Sequence, residues 1–431
     1  MEGFPIYPLY TSEDAGYANW VKDYESQVNP PGKIPGMPPR IWANVVEIGG
    51  EDEKASNKEI KFVLENGADG LVLEFTGKED LDQIFKDVLF QYVQIWIKPV
   101  GDPEISLGPF FEWMRRQSID PYHLKGGLLW DALVQGFDQP IQLKEQQDKV
   151  FLVHEMAKPY PNFKSICMDM AVYQNAGATA VQELGYGLAG GVELIDGLTV
   201  KGAKPGAIFQ DLFVVTAVGS NYFMEIAKLK TLRIIMHQFS CLYQLDLKPE
   251  NIQIFTISSK WSKSRRDSSN NLLRNTTEAM SAVIGGCNTL FVEPQDKGYT
   301  IPDAFSKRMS RNISNILKEE SYFDKVLDPA AGSYYVENLV HSLQEHAFGL
   351  LKTLEDNGGW WQAYQKNEIQ ESIKAVRNKK FGLLMKGETV MVGVNHYADD
   401  NKGKLDHIEE YPEEDYQLKS FSQSFPIENA L

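Results

Sequence analysis

The sequence predicts an α/β protein whose body is a (β/α)8 barrel, flanked by an extended N-terminal arm and a helical C-terminal extension. Two observations carry this expectation. Eight short apolar runs recur along the chain, and helical patterns alternate with them, as in a parallel sheet covered by helices. No Gly-x-Gly-x-x-Gly follows any of these runs, so the runner-up, an open doubly wound sheet, lacks its usual fingerprint. A chain of 431 residues, 43% hydrophobic and 24% charged, suits one large domain with appendages.

Residues 1–39 form the predicted arm. "NPPGKIPGMPPR" (29–40) holds five prolines in twelve residues, which excludes a helix or a central strand. Phe4, Ile6, Tyr7, Leu9, Tyr10 and Trp20 have no periodicity that would bury them on the chain's own barrel, so the arm is expected to lie on another subunit. The barrel is expected over 40–325. Its strand candidates are "RIWANVVEI" (40–48), "GLVLEF" (70–75), "VQIWIKPV" (93–100) and "GGLLWDAL" (126–133). "SICMDMAVY" (165–173), "LFVVTAVG" (212–219), "NIQIFTIS" (251–258) and "NTLFVEP" (288–294) complete the set. Apolar spacings of three and four predict helices at 58–68, 78–91, 221–239 and 271–286. A further helix is expected at 303–321. The extension, 326–431, should hold two long helices and a loosely attached acidic tail.

Composition narrows the function. The net charge of −16 argues against nucleic acid and anionic membranes as partners, because both need a basic face. Cys167, Cys241 and Cys287 are far apart and show no metal spacing, so reduced thiols are expected. With no signal-peptide pattern and no membrane-length apolar run, a cytoplasmic location is expected.

Several stretches resemble one family. "PIYPLYT" (5–11), "NAGATAVQELGYGLAGGVELI" (175–195), "AVGSNYFMEIAKLKTLR" (217–233), "RNTTEAMSAVIGG" (274–286), "LDPAAGSYYVENL" (327–339) and "VGVNHY" (392–397) are similar to the coenzyme B12-dependent acyl-CoA mutases. The nearest type is the methylmalonyl-CoA mutase family, and within it the small, non-catalytic subunit. The matches keep order and spacing over nearly the whole chain.

The resemblance implies a site that has lost its chemistry. Active chains carry Gly-Tyr-His-Met-Gln-Glu-Ala-Gly-Ala at the end of the fifth strand; here Val172 replaces the histidine, while Gln174 and Ala176-Gly177-Ala178 anchor the register. Active chains have Gln-Asn-Asp on the fourth strand, where this chain has Leu129-Trp130-Asp131. On the seventh, Thr-His-Cys-Gln-Thr-Ser-Gly-Trp-Ser becomes a run in which Phe255 replaces histidine and Ile257 replaces glutamine, with Trp261-Ser262 aligned. Barrel enzymes work at the C-terminal ends of their strands, and losing one positioned donor costs about 10²–10³ in rate. Four such losses imply no catalytic residue.

The resemblance also implies a cofactor elsewhere. Cobalamin-binding chains hold cobalt on an Asp-x-His-x-x-Gly histidine in a C-terminal domain. None of the seven histidines here fits that motif, and the nearest, His123, has one residue too many between it and Asp120. Only 34 residues follow Tyr397, which suggests that the cobalamin domain is missing. No metal is expected, and no cofactor on this chain; adenosylcobalamin is expected on a partner.

Other signals are weak. "LKPENIQIF" (247–255) lacks the remaining parts of a kinase loop. His341 and His346 have the wrong spacing for one helix face. Trp360 and Trp361 read as packing, and Asp131, Asp169 and Glu293 as barrel polar groups, any of which could survive from a site. Three readings follow. The first is a partner subunit of a catalytic mutase chain, pairing with itself as a homodimer when alone. The second is the acyl-CoA-binding half of a split mutase. The third is a freestanding relic that binds an acyl-CoA or nothing. Trp42, Trp96, Trp130, Phe213, Phe255 and Phe291 lie on predicted strands, and two or three pointing inward would plug the barrel.

Overall fold

The computed structural model describes residues 2–11, 13–14, 38–50, 52–248, 251–398 and 413–429. Its strands are β1 (Ala43–Glu47), β2 (Gly70–Phe75), β3 (Gln94–Pro99), β4 (Lys125–Leu128), β5 (Phe163–Lys164), β6 (Ile166–Asp169), β7 (Leu212–Val218), β8 (Ile254–Ser258) and β9 (Thr289–Phe291). All pair in parallel, in the order β5-β4-β3-β2-β1-β9-β8-β7-β6. The two ends of that order are one stave of the barrel. β5 pairs with β4, β6 pairs with β7, and only Ser165 separates them. The Ser165 N–H is drawn off the ladder to Asp211 Oδ1 (2.7 Å). Nine ladder segments therefore make eight staves, the (β/α)8 barrel the periodicity predicted.

The predicted helices at 58–68, 221–239, 271–286 and 303–321 form as Glu53–Glu65, Tyr222–Leu242, Asn270–Gly285 and Ala304–Glu319. The one expected at 78–91 does not. Only Leu81–Ile84 is helical, Asp87 takes a positive φ of 63°, and a single 3-10 turn follows at Phe90–Tyr92. Phe85 and Phe90 are both buried, 5.0 Å apart, with Phe85 5.3 Å from Trp113. Burying both rings in one aromatic cluster overrides local helix propensity.

The 175–195 stretch is better resolved by structure than by pattern. β6 ends at Asp169, a short helix covers Ala171–Asn175, and the long helix Ala180–Val200 starts on a capping box. Thr179 Oγ1 accepts from Gln182 N (3.1 Å), and Gln182 Oε1 accepts from Thr179 N (3.0 Å). This helix is buried along almost its whole length because Tyr334–Asp356 of the extension packs over it and over Tyr222–Leu242. Trp360 is fully buried, stacked on Tyr364 at 5.3 Å, and its indole N–H donates to the Tyr173 hydroxyl (2.9 Å).

Two appendages differ from expectation. The described part of the tail, 413–429, is not loose. Phe421 N donates to Asn175 O (2.9 Å), Gln423 N to Trp261 O (2.8 Å), and buried Glu428 accepts from Ser264 Oγ (2.7 Å) and Arg265 N (2.8 Å). In the arm, Phe4 packs on His346 (4.9 Å between rings) and Tyr10 on Tyr335 (5.8 Å), so these two cover the chain's own extension. Ile6, Tyr7 and Leu9 stay exposed, and Trp20 lies outside the described residues. Among the described residues no helix is long and apolar enough to cross a membrane.

Candidate functional site: a filled barrel and the cleft above it

Strand side chains alternate, so register decides what enters the barrel. The interior cluster contains Val72, Trp96, Cys167, Phe213, Phe255 and Phe291, with Leu129 and Ile257 packed against it. Of the six aromatic residues flagged on the strands, four point inward. The Trp96 ring centre is 5.1 Å from that of Phe213 and 4.7 Å from that of Phe255, and Phe255 is 6.4 Å from Phe291. The Trp96 indole N–H donates to Gln94 Oε1 (3.0 Å), which satisfies its polar edge. Gly127 makes room: a Cβ there would stand 3.0 Å from Trp96 Cζ3. Trp42 instead faces the helices, donating to Ser314 Oγ (2.9 Å), and Trp130 packs among the outer layers.

The structure thus gathers Leu129, Phe255 and Ile257 at the barrel interior. Val172 is not among them. It sits on the short helix after β6, half-buried against the outer core.

Above the C-terminal ends of β6, β7 and β8 lies a cleft of ≈ 660 Å³, walled on its far side by Lys380, Val390 and Val392 of the extension. The loops that form its floor are tied together. Ser259 Oγ donates to Gln174 Oε1 (2.9 Å) and Lys260 N to Asn175 Oδ1 (2.8 Å). The Lys380 ammonium donates to the carbonyls of Gly177 and Ala178 (2.9 Å each), and burial lowers its pKa. Beneath the cleft is an ionic triad that sequence reasoning missed. Lys228 Nζ, fully buried, lies 2.7 Å from Glu183 Oε2 and 2.6 Å from Glu225 Oε2, and donates to Ala217 O (2.6 Å). Burial alone would lower the Lys228 pKa, but the two carboxylates hold it above its ordinary range. One cation serves two acids. Burial first, opposed by Lys228 and reinforced by Glu225, pushes Glu183 up to about 7. The available signal was charge spaced three apart on an otherwise apolar helix.

Asp131 and Asp169 stand at the ends of the fourth and fifth staves. Asp131 Oδ1 accepts from Leu133 N (2.9 Å), its Oδ2 accepts from Asp169 N (2.8 Å), and Asp169 Oδ1 accepts from Ala171 N (3.0 Å). Burial raises Asp131 to about 6 against these N–H donors. Burial and then the Asp131 charge raise Asp169 to about 7. Both start from 3.8. Between pH 4 and 7 the folded state therefore holds protons the unfolded state has lost, so this pair's contribution is full below pH 4 and declines as pH rises to 7. Glu47 acts oppositely, but lower. Burial would raise it, yet Lys98 and Lys297 hold it at about 2, so its contribution disappears only as pH falls from 4.5 toward 2. With Glu183 contributing in the same direction over the same window, unfolding in urea is expected to become easier by at least about 2–4 kcal/mol from pH 4.5 to pH 8. Asp169→Asn should flatten that slope; an equal slope in the variant would remove the pair as its source.

The family model described as methylmalonyl-CoA mutase matches residues 76–424. The chain is 32% identical over 417 residues to the methylmalonyl-CoA mutase small subunit of Porphyromonas gingivalis, covering 92% of this chain and 65% of that protein. It is 29% identical over 446 residues to the methylmalonyl-CoA mutase of Rhizobium meliloti (95% and 62%). To the small subunit of Streptomyces virginiae it is 28% identical over 415 residues (92% and 65%). The chain thus spans a little under two thirds of the length of these relatives. With a match over most of its length on a barrel of the expected topology, the chain belongs to the methylmalonyl-CoA mutase family.

Proposed function

We propose that this chain is a non-catalytic, small-subunit-like member of its family, which partners and stabilises a cobalamin-bearing catalytic mutase chain. The observation that supports this reading is the filled axis. The resemblance calls for a barrel lined by small polar side chains, through which an acyl-CoA's pantetheine threads. Here Trp96, Phe213, Phe255 and Phe291 occupy that space. Leu129, Val172, Phe255 and Ile257 then stand as degenerate positions that offer no donor to a substrate carbonyl. Among the described residues no histidine lines the cleft, so none there would ligate a corrin's cobalt. We therefore place adenosylcobalamin on the partner and derive no step through it here.

The exposed Ile6, Tyr7 and Leu9 of the arm are consistent with contact to another subunit, since clustered exposed apolar groups tend to mark interfaces. Tagged protein recovered from its native cell should bring a cobalamin-binding mutase chain with it. Alone, it should elute without corrin absorbance, as a homodimer, and form no succinyl-CoA from methylmalonyl-CoA. Deleting residues 1–30 should weaken association and leave the barrel folded. Turnover by the isolated chain would overturn the proposal.

A second reading, the acyl-CoA-binding half of a split mutase, is favoured by the cleft, whose walls bring Gln174, Asn221, Arg274 and Lys380 together. It requires the isolated chain to bind an acyl-CoA, and turnover to appear on adding a separate small cobalamin chain. Titration with succinyl-CoA separates the two readings.

A further inference from the structure

On the other side of the barrel mouth, at the C-terminal ends of β1 and β9, lies a second cavity of ≈ 340 Å³. It is far smaller than the cleft and shares none of its lining residues. Its apolar wall comes from Val46, Ile48, Val63, Phe291 and Val292, with Ile301 at the rim, and charged side chains share the lining.

The charges around it are mostly committed. Lys297 Nζ is held by Glu47 Oε2 (2.5 Å) and Glu293 Oε1 (3.0 Å). Lys307 Nζ is held by Glu59 Oε1 (2.7 Å). Arg311 is the exception. It is 5% exposed, on the inner face of Ala304–Glu319, and its guanidinium rests over the Phe62 ring at 5.4 Å. Among the described residues no carboxylate pairs with it, and its buried Nε has no hydrogen-bond partner. A buried donor nitrogen without a partner is costly, because its desolvation is not offset. Arg311 lines this cavity, and its planar fork of N–H donors is the group that recognises a carboxylate by paired hydrogen bonds.

We propose that this cavity binds a small organic monocarboxylate, its carboxylate on Arg311 and its apolar body against Val46, Ile48 and Val63. The single charge follows from the surroundings. Glu47, Glu59 and Glu74 also line the cavity, and they disfavour a dianion such as phosphate. A cavity of this size lies within the range of small-molecule sites, which combine an apolar wall with a few polar groups.

The probe is sodium hexanoate, added to the full chain and followed by isothermal titration calorimetry. Saturable binding with a Kd on the order of 1 mM is expected from a ligand with so few heavy atoms. Hexanamide, which has the same shape and no charge, should bind at least about tenfold more weakly, as should inorganic phosphate. Arg311→Gln should abolish hexanoate binding. Arg311→Lys keeps the charge but loses the fork, and should weaken binding about tenfold. Circular dichroism identifies variants that have not folded; if Arg311→Gln is among them, Arg311→Lys and the wild-type comparison of hexanoate with hexanamide decide. Absence of saturable hexanoate binding to wild type, equal affinity for hexanamide, or unchanged affinity in a folded Arg311 variant would each overturn the proposal.

Discussion

Lys228→Met is expected to destabilise the fold by about 3–5 kcal/mol, the range seen when one member of a buried ion pair is removed. Lys228 is 0% exposed and Glu183 is 0% exposed, so neither can relax toward water. Taking away the ammonium leaves Glu183 and Glu225 facing each other, with only the Thr216 hydroxyl donating to Glu183 Oε1 (2.5 Å). The deficit should depend on pH in a defined direction. Without Lys228 the Glu183 pKa moves above the value of about 7 that it holds with the lysine present. A carboxyl raised above its unfolded value is stable as the neutral acid at low pH and loses that contribution as pH rises. Urea denaturation of Lys228→Met should therefore show a smaller loss at pH 5 than at pH 8. Adding Glu183→Gln should recover part of the loss at pH 8 by removing one of the two unpaired charges. A deficit below about 1 kcal/mol, or one that does not vary with pH, would mean that the triad is not the support of β7 and the helix Tyr222–Leu242 that its geometry describes.

That triad also marks where the sequence stopped being legible. The eight staves could be read because each combines β-branched or aromatic residues with turn residues at its ends, a pattern set by local chemistry. The fifth stave's interruption could not, because it depends on Asp211, which is 46 residues away from Ser165 and also meets His154 Nδ1 (2.6 Å). Parity hid the interior. A one-residue change of register sends a strand's side chains to the other face, so Trp42 and Trp96 looked equivalent until the pairing Val72↔Trp96 fixed one of them inward. The strand candidate 165–173 overruns for a related reason. The pattern runs on past Asp169 as though it were one strand, but the backbone turns into a short helix there and carries Val172 out of the interior. The Arg311 cavity had no local signature, because it is assembled from β1, β2, β9 and three separate helix or loop segments.

Trp96→Ala is the second substitution expected to have a large effect, a loss of about 3–5 kcal/mol. Trp96 is 4% exposed and touches both Phe213 and Phe255, so its removal leaves a void at the centre of the barrel rather than at an edge. The staves around it are joined in a closed ring and cannot collapse freely, which places the cost toward the upper end of the range. An apolar void of this kind stays dry and accepts a small apolar guest. Adding indole should therefore raise the thermal midpoint of Trp96→Ala and leave that of wild type unchanged. The same variant bears on function. If the plug alone had silenced an otherwise competent barrel, opening it would let an acyl-CoA enter. Phe213, Phe255 and Phe291 remain in place, however, and Leu129 and Ile257 supply no donor. Trp96→Ala is thus expected to lose stability, to respond to indole, and to gain no affinity for succinyl-CoA. Tight succinyl-CoA binding by this variant, absent in wild type, would instead mean that one side chain separates this barrel from a ligand-binding one.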